Sequence, residues 1–216
     1  MFNGCTNLTT FHSDLGSLRE GTNMFNGCTS LDSFDADLSL LLNGWSMFGG
    51  CTSLTTFTSN LSSLQEGTGM FYKCTNLTSF ESDLSSLTEG SNMFYGCESL
   101  TSFNSNLGSL VGSGVYDNMF LGCSLDGDSL ECILKSIPDY TNDGESHHIM
   151  ITLNQDGVNR ISILQDELPT FLPKIESGEI IPHYVDYNAY QCIMMEYNGW
   201  TIYINTNVVG GTTIRH

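Results

Sequence analysis

The sequence predicts a solenoid of short parallel β-strands that is closed by a small α/β unit at its C-terminal side. The first observation is a phrase of Met-Phe, Cys, Leu and Phe at fixed spacing, which recurs every 23 residues from Met1, Met24, Met47, Met70 and Met93. The second is a sixth copy from Met119, after a unit lengthened to 26 residues around residues 112–116. The third is that the pattern stops near Cys123. Because a short repeat buries its apolar positions only by stacking on its neighbours, residues 1–123 are expected to form the array and residues 124–216 a capping unit that continues its sheet.

One repeat predicts the path of a single coil. In the third copy, Thr, Ser and Phe around Leu54–Ser59 favour a strand, and the polar segment QEGTG before Met70 predicts a turn. Alternation along the strand places Phe57 and the residue two positions later in the interior. The equivalents of that second residue are all small, as a tight bend requires: Ser13, Ala36, Ser59, Ser82 and Ser105.

The residues on either side of the strand Phe are expected to face solvent in two columns, which form the candidate binding face. These columns are Thr10, Ser33, Thr56, Ser79, Ser102 and His12, Asp35, Thr58, Glu81, Asn104. An Asp/Asn column follows, whose short side chains are expected to accept hydrogen bonds from nearby backbone amides: Asp14, Asp37, Asn60, Asp83 and Asn106.

Six of the eight cysteines occupy one repeat position, which predicts a file inside the solenoid: Cys5, Cys28, Cys51, Cys74, Cys97 and Cys123. Buried free thiols are the favoured interpretation, because buried Cys behaves as a small hydrophobic residue. Adjacent coils lie about 4.8 Å apart, within the Cα range that a disulfide permits, so the redox state of the file stays open.

The charge excludes some partners. Six Lys and Arg against 24 Asp and Glu give a formal net charge of −18. A surface this acidic repels phosphate backbones and anionic lipid, which argues against nucleic-acid binding and against electrostatic docking on membranes. No apolar run is long enough to span a bilayer and no secretory signal pattern opens the chain. The first repeat begins without a distinct cap, so the chain is expected to belong to a longer protein or an assembly.

The phrase MFxGCTSLTSFxSDLSSL resembles the BspA-like leucine-rich repeat, with GC-x-x-L-x-x-F in place of the more usual Leu-rich strand. The resemblance covers residues 1 to about 123. It implies a right-handed leucine-rich-repeat solenoid, of mostly β and loop structure, and a role in adhesion or in binding a protein or a glycan. Asp or Asn stands where a Pro often follows the strand in this family. The C-terminal part resembles the segment that follows such repeats in gut-bacterial and phage proteins.

The C-terminal unit is expected to alternate helices and strands. Asp128–Ile137 predicts a helix with a stripe of Leu and Ile, capped by Asp128 or Ser129 and stopped by Pro138. Strands are predicted over His148–Asn154 and Trp200–Asn205, and helices over Val158–Leu168 and Asn188–Tyr197, the second ended by Asn198–Gly199. Pro169–Pro182 is expected to be a loop.

Nothing in the sequence predicts a metal, a cofactor or an enzyme. His147 and His148 are adjacent on a predicted strand and would point to opposite faces, so a solvated strand entry is the preferred interpretation. The acidic residues of the candidate face are spaced about two coils apart, which favours solvated charge over calcium binding. No hydrolase, phosphate-loop, zinc-protease or dinucleotide motif is present.

Two functions follow as hypotheses. The first is a surface or extracellular module that presents its polar, acidic face to a protein or glycan for binding or adhesion. The second is a structural spacer, or a domain of a phage virion, in which the regular array holds other parts at a distance. No single repeat position identifies a ligand.

Overall fold

A computed structural model describes residues 1–111, 118–140, 147–160, 192–197 and 200–206 of the chain. Each coil of the array contributes one short strand around its strand Phe: β1 (Thr10–His12), β2 (Ser33–Asp35), β3 (Thr56–Phe57), β4 (Ser79–Phe80) and β5 (Ser102–Phe103). β1 pairs with β2, and β3, β4 and β5 form a second sheet, all parallel and with the Phe residues opposite one another. The predicted fold class, a solenoid with one short parallel strand per 23-residue repeat, is confirmed.

The other sides of each coil are also joined between neighbours. Glu20, Asn43, Glu66 and Glu89 form successive parallel bridges. On the Met-Phe side the amide of Phe48 donates to the carbonyl of Met70 at 2.9 Å, and the other coils repeat this bond. The segment QEGTG was expected to be the turn, but Glu66 is part of a bridge and the turn covers residues 68–73. The prediction was wrong by a few residues because the polar side chains of this segment face solvent while its backbone pairs with the next coil.

The core contains two interleaved files of phenylalanine. One file holds the Phe of each Met-Phe pair and the other holds each strand Phe. Within a file the rings stack, as Phe48 does on Phe71 with centroids 5.6 Å apart and Phe57 on Phe80 at 6.2 Å. Between files they meet edge to face, as Phe57 does on Phe71 at 4.8 Å and 71°. Offset and edge-to-face pairs contribute roughly 0.5–1.5 kcal/mol each beyond burial, so stacking of one coil on the next stabilises the array.

The C-terminal unit adds a four-stranded sheet and a helix. Its elements are β6 (Phe120–Leu125), α1 (Gly127–Ser136), β7 (His147–Leu153), β8 (Cys192–Tyr197) and β9 (Trp200–Thr206). The strand order is β6-β7-β9-β8, with β6 and β9 parallel to β7 and β8 antiparallel to β9. The predicted strands at His148–Asn154 and Trp200–Asn205 are confirmed as β7 and β9. Among the residues that the structure describes, no helix could cross a membrane.

Helix α1 confirms the predicted helix but not its N-cap. Leu130, Ile133 and Leu134 are fully buried. The cap is Asp126, whose Oδ1 accepts from the amide of Ser129 at 2.9 Å, and not Asp128 or Ser129. The helix begins at Gly127, one residue before the predicted start at Asp128. Its cap, Asp126, lies just outside the first helical turn, as an N-cap residue does.

The helix predicted over Asn188–Tyr197 is wrong for residues 192–197, which form β8. Cys192 pairs with Asn205 and Tyr197 with Trp200 in the antiparallel register of a hairpin. An Asn-Gly pair between two apolar runs is the strongest short signal for such a hairpin, whereas the helix prediction uses the same pair as a helix end. Residues 155–160 are helical, so this helix begins three residues before the predicted Val158–Leu168. Three predicted parts lie outside the described residues: the rest of this helix after residue 160, residues 188–191 of the second predicted helix, and the predicted loop Pro169–Pro182.

Candidate functional site

The two predicted columns lie on the outside of the strands, and together they are called the strand face here. The column that follows the strand Phe is exposed in every coil: His12, Asp35, Thr58, Glu81 and Asn104. In the column that precedes it Thr10 and Thr56 are exposed, while Ser33, Ser79 and Ser102 are half-buried.

Strand register brings the face residues into contact in two groups. Thr10 lies opposite Ser33, and His12 lies opposite Asp35 with 3.8 Å between Nδ1 and Oδ2. Thr56, Ser79 and Ser102 lie opposite one another along β3, β4 and β5. β2 and β3 belong to separate sheets. The strand face therefore presents small hydroxyl, amide and carboxylate groups in rows.

The Asp/Asn column forms the predicted turns at the strand exits. The side-chain oxygen of each member accepts from the amide two residues on, at 2.8–2.9 Å: Asp14, Asp37, Asn60, Asp83 and Asn106. The amide and hydroxyl of Ser39 lower the pKa of the exposed Asp37 carboxyl. These side chains are occupied with backbone geometry, so they frame the strand face rather than offer free ligands.

The small residues predicted to face the bend are buried at Ala36, Ser59, Ser82 and Ser105. Ser13, in the first coil, is exposed. The hydroxyl of Ser105 donates to the carbonyl of Ser82 at 2.8 Å and accepts from the amide of Leu84 at 3.0 Å. The bend therefore has room for a hydroxymethyl group that links adjacent coils.

All six cysteines of the file are free thiols. Five of them are buried inside the array, and Cys5, in the first coil, is exposed. Each buried thiol donates to the carbonyl of the Met-Phe Phe in the preceding coil, at 3.1–3.3 Å. Burial raises the pKa of Cys51 to about 12 and that of Cys74 and Cys97 well above the ordinary value. These thiols are protonated and inaccessible at neutral pH, which is the opposite of an activated nucleophile.

The histidine pair differs from the prediction. His147 is buried at the start of β7 and stacks on Tyr140 with ring centroids 4.1 Å apart, so this position is not a solvated strand entry. Burial, with the neighbouring His147, lowers the pKa of His148. Within the described part of the chain no group of three His, Cys, Asp or Glu side chains could hold a metal ion.

A groove on the Met-Phe side of the fourth to sixth coils contains residues that the sequence analysis missed. Its volume is about 560 Å³, and its walls include Lys73, Thr75, Tyr95, Glu98, Leu121 and Ser124. Tyr95 stacks on Tyr72 with centroids 5.2 Å apart, and the Lys73 amine lies 5.2 Å from the centre of the Tyr72 ring. The signal was present in the sequence, because Lys73 stands where the other coils have Gly, and Glu98 stands where the first four coils have Thr.

A second departure from the repeat lies in the second coil. Trp45 is 54% exposed and Leu40 is 42% exposed, at positions that are Thr or Ser in most other coils. Trp is enriched among the residues that dominate protein–protein interfaces. This pair does not belong to the strand face, since it flanks the bridge formed by Asn43.

Comparison with known protein families identifies the repeat. The BspA type leucine rich repeat region matches in six copies, over residues 1–126 and 67–163. The chain therefore belongs to the BspA type leucine-rich-repeat family, whose members generally act in adhesion or protein binding and are usually surface or extracellular proteins. No curated protein and no solved structure matches the chain.

Proposed function

We propose that the protein is a non-enzymatic binding or adhesion module of a cell surface or extracellular protein, and that it presents the strand face to a protein or a glycan. The observation that carries the proposal is the exposure of a column of five polar side chains, one in each coil. Family membership supports it, because repeats of this type are typically non-enzymatic and generally bind proteins.

The chemistry of the strand face suits a broad and polar partner. Thr and Ser hydroxyls both donate and accept hydrogen bonds, and the Asp and Glu carboxylates accept them. With only His12 able to carry positive charge among these ten residues, an anionic partner would be repelled. A protein surface with Lys or Arg, or a polyhydroxylated glycan, would be complementary to it.

The proposed division of the chain assigns this role to residues 1–123 and a capping role to residues 124–216. The burial of Leu130, Ile133 and Leu134 supports it, as does the hydrogen bond of 2.8 Å from the Phe103 amide to the Ser129 hydroxyl. Helix α1 thus covers the last strand of the array. A sheet edge covered in this way resists unwanted pairing with other chains.

The alternative is a structural spacer, including a domain of a phage virion. The continuous files of Phe rings favour this alternative, because a core that runs without a gap from Phe2 to Phe120 makes a stiff rod. A spacer needs no ligand on the strand face. Substitutions on the strand face therefore distinguish the two functions: they should remove an interaction of a binding module and should leave a spacer unaffected.

The test is a screen of the whole chain, at micromolar concentration, on a glycan array and on an array of purified extracellular proteins. Each hit is then measured with the triple variant Thr58→Lys, Glu81→Lys and Asn104→Lys, which changes one exposed column. The control is Asn3→Lys, Glu20→Lys and Thr22→Lys, with the same residue types, the same change of charge and exposed positions away from the strand face. Binding that is lost in the first variant alone supports the proposal. No hit, or equal loss in both variants, favours the spacer.

A further inference from the structure

The groove beside Lys73 is a site in which the chain departs from its own repeat. Three changes line it: Tyr95 at a position that holds Asn or Gly in the first three coils, Lys73 at a Gly position, and Glu98 at a Thr position. A fourth change, Tyr72, stacks on Tyr95 and lies under the Lys73 amine. The first three coils fold the same segment without any of these side chains. The changes are therefore not needed to form a coil, and each of them lines the groove or contacts a residue that does.

Lys73 has a backbone conformation that its side chain makes unfavourable. Its φ is +56°, and the equivalent Gly4, Gly27, Gly50 and Gly96 have φ between +71° and +73°. A residue with a Cβ is disfavoured in this left-handed region, whereas Gly adopts it freely. Such strain persists where the surrounding structure holds it, and it concentrates at binding sites.

Gly96 keeps the groove open under the Lys73 side chain. A Cβ built on Gly96 would lie 3.2 Å from Cγ of Lys73, and one built on Gly122 would lie 3.3 Å from the Cα of Gly96. Any side chain at these two positions would crowd Lys73 or the neighbouring backbone. Gly96 and Gly122 therefore line the groove without a side chain of their own, and the Lys73 side chain packs against Gly96.

The walls of the groove combine charge, hydroxyl groups and an aromatic ring. Lys73 donates hydrogen bonds, Glu98 accepts them, and the hydroxyls of Thr75 and Tyr95 do both. Tyr95 supplies a ring, and Leu121 an apolar wall. The volume of about 560 Å³ lies within the range of small-molecule sites.

This set of groups selects a neutral ligand that is rich in hydroxyls and has an apolar face. One amine and one carboxylate balance each other, so neither an anion nor a cation is favoured locally. The net charge of −18 further disfavours anions. A sugar ring has the required combination, because its hydroxyls pair with Lys73, Glu98 and Thr75 while its C–H face packs on an aromatic ring.

We propose that the groove of Lys73, Tyr95 and Glu98 binds a neutral oligosaccharide. The site shares no residue with the strand face, and it does not depend on whether the strand face binds a partner. With such a site the protein would bind a sugar chain in the groove, and its strand face would stay free to bind another molecule.

The experiment titrates the full chain with cellohexaose, N-acetylchitohexaose and maltohexaose by isothermal calorimetry. The consensus variant carries Lys73→Gly, Tyr95→Asn and Glu98→Thr, each of which restores a residue that other coils have at that position. The control variant Trp45→Thr also restores a repeat residue, but in the second coil. Glu98→Gln is a milder test at an exposed side chain, should the triple variant fold poorly.

The expected result is that at least one hexasaccharide binds with a Kd below 10 mM, and that the consensus variant binds at least tenfold more weakly with an unchanged or higher Tm. Trp45→Thr should keep the wild-type affinity, and Glu98→Gln should lose several-fold. The proposal is overturned if none of the three sugars binds, or if the consensus variant binds equally well. It is also overturned if an acidic peptide binds the groove tenfold more tightly than any of the sugars.

Discussion

The thiol of Cys74 donates a hydrogen bond to the carbonyl oxygen of Phe48 in the preceding coil, with Sγ and O 3.1 Å apart. Both residues are fully buried. The same bond repeats at each buried position of the cysteine file, so the file is more than a set of small apolar side chains. The carbonyl of Phe48 also accepts from the backbone amide of Cys51 in its own coil at 3.0 Å. The thiol therefore adds a second hydrogen bond to each such carbonyl from Phe2 to Phe94, and this bond joins one coil to the next, which a Val or Ala at the cysteine position could not do.

The first prediction concerns the pH dependence of stability. Burial raises the folded-state pKa of Cys51 from 9.0 to about 12. The unfolded chain therefore loses this proton first as the pH rises. The stabilisation is complete below pH 9 and is lost between pH 9 and 12, at no more than about 1.4 kcal/mol per pH unit for each thiol. The midpoint of urea-induced unfolding, determined at several pH values from 7.5 to 11, measures this loss of stability.

Cys51→Ala is the matched variant for that experiment. It should be less stable than the wild type by roughly 1–2 kcal/mol at pH 7.5, because it loses buried sulfur and a hydrogen bond. Above pH 9 its stability should fall less steeply, since one titrating thiol is gone. Parallel curves for the two proteins would show that the buried thiols do not cause the alkaline loss.

The second prediction concerns the phenylalanine files. Phe57 is 3% exposed, and its ring meets those of Phe48 and Phe71 edge to face at 5.3 and 4.8 Å. Phe57→Ala should lower the free energy of unfolding by about 3–5 kcal/mol, because it opens a cavity between two coils. Chemical denaturation measures it. The neighbouring Thr58→Ala, on the exposed side, should stay within about 0.5 kcal/mol of the wild type. Similar effects of the two substitutions would contradict the inward placement of Phe57.

The third prediction concerns backbone strain at Lys73. Lys73→Gly should raise the free energy of unfolding by about 0.5–1 kcal/mol, because Gly relieves the left-handed conformation at some cost in chain entropy. Gly50→Ala is the reciprocal change, at φ +73° with no atom closer than 3.8 Å to the new Cβ. It should lower stability by about 1 kcal/mol. Thermal unfolding of both variants tests the pair, and a destabilised Lys73→Gly would mean that the side chain stabilises the fold.

The fourth prediction concerns the start of α1. Asp126 accepts hydrogen bonds from the amide and the hydroxyl of Ser129 at 2.9 and 2.6 Å. Asp126→Ala should cost about 1 kcal/mol of stability, as the loss of an N-cap usually does. Asp126→Asn should recover most of it, since an amide oxygen caps as well. Asp128→Ala, just inside the helix, serves as the control and should have a smaller effect.

The features that follow from strict periodicity were predictable from the sequence. Phe57, Cys51 and Leu54 recur at fixed spacing, and each is buried as the repeat pattern predicts. The Asx turns at Asp14 and its equivalents were predictable for the same reason, because a short polar residue at a strand exit has one favourable local use.

Two kinds of feature could not be obtained in this way. β8 resembles a helix over Cys192–Tyr197 when considered alone, and only its antiparallel pairing with β9 makes it a strand. The groove depends on residues of different coils, Lys73 and Glu98, that come together only when the coils stack. A repeat consensus emphasises what the coils share, whereas a site is formed where they differ.

The central claim is that the strand face binds a partner. The most direct measurement is amide hydrogen exchange of the full chain, with and without the partner that the array screen identifies. Protection is expected at residues 56–58, 79–81 and 102–104, which include the exposed column of β3, β4 and β5. Protection confined to the Lys73 groove or to the region of Trp45, with none on these strands, would contradict the claim.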